Sequence, residues 1–195
     1  MGRLILVRHG ESEGNRDRVF TRTNDVPITP LGADQARETG VVIRDRYRPV
    51  HLISSPFHRA RQTAAIIAEM VGHQAEIEVV PDLRERSYGT MAGQPYDTPR
   101  PDLDPTRYWE WCPPGGETLE AVAARAGAVL DALRAAWGND DVVVVSHGGV
   151  MMALHKHVQG AWGSTRQVTR NAGIVVVEHD GAKYHRMAPV EATSP

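Results

Sequence analysis

Short apolar runs alternate with longer helical patterns along most of this chain. The plainest run is 141–146, where four consecutive valines lie between Asp141 and Ser146. A strand this uniformly apolar is typical of parallel sheets that are buried on both faces. Further strands are expected at 4–7, 51–54, 77–80, 174–179 and 183–187, and helices at about 30–46, 57–71, 117–137 and after Gly149. The alternation predicts an α/β fold, a three-layer αβα sandwich with a mostly parallel central sheet.

The composition is that of one globular domain. The chain has 195 residues, of which 41% are hydrophobic and 24% charged, and its formal net charge is −2. We expect a single domain over residues 1–187 and a flexible tail at 188–195, with the irregular stretch 86–115 as a lid or substrate segment. The charge and the lack of a long apolar run predict neither nucleic-acid nor membrane partners. One cysteine and no signal-peptide pattern favour a cytoplasmic location, and the sequence predicts no oligomeric state.

Polar groups follow three of the expected strands at the point where each strand ends. The groups are Arg8-His9-Gly10, Ser54-Ser55 and Ser146-His147-Gly148. Because the carboxyl ends of parallel strands meet at one edge of a sheet, these side chains are expected to converge there. The glycine after each histidine lets a ligand approach the backbone closely, and Gly148 also opens a helix whose free N–H groups favour an anion.

The expected cluster combines two histidines with two arginines, Arg8 beside His9 and Arg59 one turn into the second long helix. Cations that converge on one point of a mildly acidic protein predict the binding of phosphate or carboxylate. They would also lower the pKa of His9, which keeps its ring neutral and therefore nucleophilic. Departure of an alkoxide needs a proton, and Glu85, in the loop after the third strand, is the candidate donor.

Six blocks of residues occur in order between residue 4 and about residue 150. They are Leu6-Val7-Arg8-His9-Gly10-Glu11-Ser12 with Asn15; Phe20-Thr21 with Asp25-Val26-Pro27-Ile28-Thr29-Pro30-Leu31-Gly32; Ser54-Ser55-Pro56-Phe57-His58-Arg59-Ala60-Arg61-Gln62-Thr63-Ala64; Leu83-Arg84-Glu85-Arg86-Ser87-Tyr88-Gly89; Pro114-Gly115-Gly116-Glu117-Thr118; and Val145-Ser146-His147-Gly148-Gly149. Together they resemble the histidine phosphatase superfamily, which includes the cofactor-dependent phosphoglycerate mutases. The resemblance implies a phosphoglycerate mutase-like fold and a small phosphorylated substrate.

The resemblance also implies roles at the matching positions. His9 would become the phosphohistidine, and Glu85 would donate a proton and later activate water. Arg8, Arg59 and His147 would hold the phosphoryl group, and Asn15 and Thr21 would contact the phosphate or the rest of the substrate. No metal and no organic cofactor is implied. His155 and His157 also make a poor metal chelate, because they lie two apart on a helix.

Four further residues complete the predicted substrate site. Gly148 offers backbone N–H groups, and Tyr88 is a mutase-like feature of the fourth block. The hydroxyl of Ser12, like that of Thr21, fits either substrate binding or capping of nearby backbone. Arg22 replaces a glycine usual in the family, and it either contacts an anionic substrate or points to solvent.

Three functions fit these residues. A phosphatase must admit water to the phosphohistidine, whereas a mutase must return the phosphoryl group to a bound product. Mutases of this family carry a longer segment after the acid block, an arginine pair after a tryptophan, and an asparagine after the second His-Gly. Here the segment is short, Tyr108-Trp109-Glu110-Trp111 stands near the position of that pair, and Gly149 replaces the asparagine. These departures favour a phosphatase; a mutase and a non-catalytic phosphate-binding module are the alternatives.

Overall fold

A computed structural model describes residues 1–163 and 168–190. One six-stranded sheet has the order β3-β2-β4-β1-β5-β6. The strands are β1 (Gly2–Arg8), β2 (Pro49–Ser54), β3 (Glu78–Val79), β4 (Asp141–Ser146), β5 (Ile174–His179) and β6 (Tyr184–Val190). Strands β1 to β4 are mutually parallel, and β5 runs antiparallel to both of its neighbours. The predicted α/β fold with a mostly parallel central sheet is confirmed.

Helices cover both faces of this sheet. They are α1 (Glu13–Arg16), α2 (Pro30–Arg46), α3 (His58–Val71), α4 (Leu119–Ala136) and α5 (Gly148–Gln159). Alternate residues of β1 point to opposite faces: Leu4 and Leu6 pack with α4 and α5, whereas Ile5 and Val7 pack with α2 and α3. The central strands therefore have no polar face, which explains their continuous apolar runs.

The starts of two long helices follow from their sequences. The Thr29 hydroxyl accepts a hydrogen bond from the Gly32 amide at the start of α2, with Pro30 at the first helical position. Thr118 caps α4 in the same way, so α4 begins two residues after the predicted start at Glu117. Ser12 caps the four-residue helix α1, which is not among the helices expected from the sequence.

The predicted start of the tail, at residue 188, is wrong. Strand β6 continues to Val190 and pairs residue by residue with β5, with Pro189 opposite Val175. Proline cannot donate to a strand ladder, but β6 is the edge of the sheet and needs partners on one side only. The rest of the predicted tail, 191–195, lies outside the described residues.

Residues 86–115 carry little regular structure, as expected, apart from short 3-10 turns at Gly89–Met91 and Pro105–Arg107. The segment is anchored by Tyr108 and Trp111, both buried. Within the described residues, no helix is long and apolar enough to cross a membrane.

Candidate active site

The carboxyl ends of β1 and β4 bring two histidines together. The strands are neighbours, and Arg8 lies opposite Ser146 in their register. The next residue in each strand is a histidine, and the ring centroids of His9 and His147 are 5.2 Å apart. The His9 amide donates to the Ser146 carbonyl (2.9 Å), and the Ala172 amide donates to the His9 carbonyl (3.1 Å). The backbone of His9 is thus fixed on both sides.

Hydrogen bonds assign the tautomer of His9. Its Nδ1 lies 2.7 Å from the Gly10 carbonyl oxygen, which can only accept, so Nδ1 carries the proton. Its Nε2 accepts from Nε of Arg59 at 3.2 Å and therefore holds a lone pair. The ring is only 3% exposed, and it lines the cavity described below. His9 Nε2 consequently presents a fixed lone pair to a cationic group.

His147 has the complementary arrangement. Its Nε2 lies 2.7 Å from the Ser55 hydroxyl oxygen, which already accepts from the Phe57 amide. With the Ser55 hydroxyl as the donor to Nε2, the ring proton of His147 resides on Nδ1. This Nδ1 is buried and has no hydrogen-bond partner among the described residues.

Two arginines leave further buried donors without protein partners. Arg59 is 3% exposed, and its Nη1 is unpaired within the described part of the chain. Arg8 donates through Nη1 to the Thr169 carbonyl (2.8 Å), while its Nε is unpaired within the same residues. Buried donors without acceptors are costly, and an anion bound between these arginines and His147 would satisfy them.

The surroundings keep both histidines neutral. Burial lowers the pKa of His9 well below its usual value, and the charges of Arg59 and Arg8 lower it further. The pKa of His147 is lowered well below its usual value by burial first and then by the charge of Arg59. A neutral His9 can attack phosphorus, whereas an imidazolium could not.

Glu85 lies beside this cluster of histidines and arginines. One carboxylate oxygen accepts from its neighbour's amide, Arg86 N–H (2.8 Å), and the other accepts from the Gly149 amide at the start of α5 (3.3 Å). Its negative charge raises the pKa values of Arg8 and Arg59 against the lowering effect of burial. The carboxylate thus lies within the electrostatic reach of both arginines.

A cavity of about 320 Å³ opens over this cluster. Nine residues predicted from the sequence line it: Arg8, His9, Ser12, Asn15, Thr21, Arg59, Glu85, Tyr88 and Gly148. His147 lies behind them and is fully buried. The cavity is at the small end of ligand sites, which suits a small phosphate ester.

Arg22 is not among the residues that line this cavity. Its side chain is exposed and crosses Gly93, where an added Cβ would collide with the guanidinium. This position fits the solvent-facing alternative for Arg22, and a contact with an anionic substrate stays a prediction. The chain from 18 to 20 pairs with 93–96, which turns Phe20 and Thr21 inward and leaves Arg22 outside.

Ser12 and Asn15 reach the cavity while bonded to each other. The Ser12 hydroxyl and the Asn15 side chain form a capping box around α1. The Asn15 amide nitrogen donates to the Tyr96 hydroxyl (3.1 Å), and its oxygen accepts from the Asn171 side chain (2.9 Å). Ser12 thus has the capping role that was one of its two interpretations, and Asn15 connects the site to Tyr96.

Several lining residues escaped the sequence analysis. They are Phe20, Tyr96, Arg100, Gly149, Met152 and Val168. Tyr96 and Arg100 belong to the irregular 86–115 segment, whose lack of periodicity hides which side chains turn inward. Ser55, the partner of His147, carried a usable signal, since it ends a strand beside the strand that carries His147.

These features define a cluster of two histidines and two arginines at the carboxyl edge of an α/β sheet, and a family comparison places this arrangement. A model of the histidine phosphatase superfamily (branch 1) matches residues 4–188. The chain belongs to this superfamily.

Particular relatives differ in their stated activities. The uncharacterized phosphatase PhoE of Bacillus subtilis is 34% identical over 160 residues, covering 82% of this chain and 79% of that protein. The 2,3-bisphosphoglycerate-dependent phosphoglycerate mutase of Methylorubrum populi is 34% identical over 162 residues, covering 77% of this chain and 76% of the mutase.

Two solved structures are similar over nearly the whole chain. A mycobacterial glucosyl-3-phosphoglycerate phosphatase in complex with VO3 has a TM-score of 0.82 and 26% identity, with 98% of this chain and 99% of that chain covered. A phosphoserine phosphatase mutant of Entamoeba histolytica, in complex with phosphoserine, has a TM-score of 0.78 and 26% identity, with 100% and 96% covered.

Proposed function

We propose that this protein is a phosphatase that hydrolyses a small phosphomonoester through a phosphohistidine at His9. The observation that carries the proposal is the bonding of the His9 ring. Its Nε2 is unprotonated, lines the cavity and faces Arg59. Arg8, Arg59 and His147 each have a buried side-chain nitrogen without a partner among the described residues. A nucleophile with such groups in its neighbourhood fits the transfer of an anionic phosphoryl group.

In the first step, the His9 Nε2 lone pair attacks phosphorus, and the bond between phosphorus and the ester oxygen breaks. Arg59 gives up its bond to Nε2 and, with Arg8 and His147, donates to the phosphoryl oxygens. Protonated Glu85 gives its proton to the leaving oxygen, which departs as an alcohol. In the second step, the Glu85 carboxylate takes a proton from water, hydroxide bonds to phosphorus, and the N–P bond electrons return to Nε2.

The 86–115 segment supports a phosphatase over a mutase. The family's mutases place an arginine pair near the position of 108–111, but here Tyr108 and Trp111 are buried by packing. Tyr108 contacts Leu119 and Met152, and the Trp111 ring nitrogen donates to Asp102 (2.9 Å). Because buried aromatic side chains occupy positions 108 and 111, the segment lacks the arginine pair of the mutases.

A mutase is the second candidate, because relatives with that activity match more than three quarters of the chain and Tyr88 and Arg100 line the cavity. A coupled assay with 3-phosphoglycerate, primed with 2,3-bisphosphoglycerate, separates the two. Mutase turnover faster than phosphate release would establish the second candidate. The cytoplasmic location stays a prediction.

The proposal is tested with wild-type enzyme and the His9→Asn variant in the presence of a chelator. We expect p-nitrophenyl phosphate to be hydrolysed, and a base-stable, acid-labile phosphoryl adduct to be trapped on His9 alone. The variant should lose the adduct and at least about a thousandfold in kcat. Undiminished activity of the variant, or a requirement for added metal, would refute the mechanism. Tight phosphate binding without any adduct would indicate a binding module.

A further inference from the structure

The block Pro114-Gly115-Gly116-Glu117-Thr118 has no role in the chemistry described so far, although it lies directly beneath the loop that carries Glu85. We call residues 82–87 the acid loop. Among the described residues, the hydrogen bonds to the Glu85 carboxylate come from two backbone N–H groups, those of Arg86 and Gly149. Its position in the cavity wall therefore depends on what fixes the backbone of the acid loop.

Arg125 of α4 contributes three hydrogen bonds to that fixation. Its guanidinium donates to the carbonyl oxygens of Asp82 (2.6 Å), Arg84 (2.9 Å) and Glu85 (3.3 Å). Its side chain is 11% exposed, so these bonds are shielded from water. A guanidinium that binds three carbonyls within four residues holds the loop in one conformation.

Glu117 holds Arg125 and the far end of the loop together. Its two carboxylate oxygens accept from Nε and Nη2 of Arg125, both at 3.0 Å. One of them also accepts from the Ser87 amide (2.9 Å), and the Glu117 amide donates back to the Ser87 carbonyl (3.0 Å). The pair is a two-pronged ion pair with each partner bonded to the acid loop.

The glycines of the block allow this close approach. Gly115 has a φ of +73°, in the left-handed region. A Cβ on Gly116 would lie 2.8 Å from the Ser87 carbonyl oxygen. Any larger residue at 116 would push the block away from the loop that Glu117 binds.

From these contacts we infer that Arg125 and Glu117 form a clamp that positions Glu85 as the proton donor for the leaving group. Both are positioning residues, since neither lines the cavity. The inference rests on the proposed function, because it assumes that Glu85 protonates the departing oxygen. It assigns the Pro-Gly-Gly-Glu-Thr block to the acid step rather than to phosphate binding.

The clamp is tested with two aryl esters of the same shape. p-Nitrophenolate leaves readily without a proton, whereas phenolate, with a conjugate-acid pKa near that of tyrosine at about 10, needs one. We measure the rate of His9 phosphorylation in the first turnover with p-nitrophenyl phosphate and with phenyl phosphate. Both Arg125→Met and Glu85→Gln should slow the phenyl phosphate reaction at least about tenfold more than the p-nitrophenyl phosphate reaction.

A double variant distinguishes positioning from a general loss of structure. If Arg125 acts through Glu85, adding Arg125→Met to Glu85→Gln should change the rate ratio less than about twofold. Glu117→Gln and Arg125→Lys, which keep most of the packing, should show the same selectivity to a smaller degree. The matched control is Arg134→Met, on the same helix, whose guanidinium binds the Gly181 carbonyl far from the acid loop.

Three results would overturn the inference: equal losses on the two esters, multiplicative losses in the double variant, or the same selectivity from Arg134→Met. Failure of the proposed function looks different, because wild-type enzyme would then form no phosphohistidine with either ester. Should Arg125→Met not fold, Arg125→Lys and Glu117→Gln still give the ratio.

Discussion

At the scale of single residues, Arg100 has the position and the charge to select substrates. Its guanidinium lies in the cavity wall between the rings of Phe20 (5.8 Å) and Trp111 (5.7 Å) and donates to the Tyr96 carbonyl. The described residues place no carboxylate in an ion pair with it. A half-buried cation over aromatic faces, without a counter-ion, favours a second acidic group on the substrate.

Replacement of Arg100 by glutamine should therefore act on one kind of substrate. We expect kcat/KM for 3-phosphoglycerate to fall about tenfold to hundredfold more than for glycerol 3-phosphate, which lacks the carboxylate, because a charged hydrogen bond contributes about 1.5–3 kcal/mol. Arg107→Gln, at an exposed position paired with Glu110, is the control. Equal losses of kcat/KM on both esters would show that Arg100 does not bind the carboxylate of the substrate.

Residues beside strand ends were predictable, and residues of the irregular segment were not. His9, Arg8 and His147 follow strands whose apolar runs are unmistakable, so their convergence follows from sheet geometry. Tyr96 and Arg100 line the cavity only because residues 93–96 pair with 18–20, a contact that leaves no periodic pattern in either stretch.

At the scale of elements, Gly149 in the first turn of α5 links the position of that helix to the position of the Glu85 carboxylate. A Cβ there would lie 2.5 Å from a carboxylate oxygen and 3.4 Å from Cδ of Glu85, and the nearest atom of another residue, Cβ of Arg86, would be at an ordinary 3.5 Å. The close atom is the flexible end of a side chain, which can move away. Gly149→Ala should therefore displace the acid while the helix stays intact.

We expect Gly149→Ala to leave the free energy of unfolding unchanged or to raise it by up to about 1 kcal/mol, since alanine favours helix. Its rate on phenyl phosphate should fall at least about tenfold. Gly40→Ala is the contrasting control: its Cβ would meet Cβ of Met70 at 2.5 Å, which cannot swing aside. That variant should lose about 1–3 kcal/mol of stability and keep its activity per folded molecule. A destabilised, fully active Gly149→Ala would contradict this account.

Caps and buried strands made most elements predictable. Thr29-Pro30 and Thr118 mark helix starts through side-chain hydrogen bonds that are local in sequence. The end of β6 was missed, because Pro189 suggests a strand terminus unless its edge position is known. Which strand lies at the edge depends on the order of the strands in the sheet. A short stretch of sequence does not indicate that order.

For the whole molecule, three buried histidines, His9, His147 and His179, make stability depend on pH. Their pKa values are lowered in the folded state, chiefly by burial, so below about pH 6.5 the unfolded chain binds more protons than the folded chain. Stability is then complete above that pH and declines as the pH falls, by up to about 1.4 kcal/mol per pH unit for each histidine.

Urea unfolding between pH 7.5 and pH 5.5 measures this slope, over a range where carboxylates contribute little. His147→Asn should remove the contribution of one of the three buried histidines and make the curve less steep. An unaltered slope in the variant would mean that His147 takes up protons equally in both states.

The backbone hydrogen bonds of His9 to Ser146 and Ala172 also have a consequence for how the protein folds. The two backbone groups that bond to the backbone of His9, and the Asn171 side chain that also donates to its carbonyl, belong to the last third of the chain. During synthesis, the nucleophile emerges almost first, yet it cannot be placed until strands far along the sequence have joined β1. A nascent or truncated chain that ends before Ala172 lacks one of those two backbone bonds. Activity therefore requires a complete sheet. After refolding, we expect activity to return at the same rate as the contacts between residues far apart in the sequence.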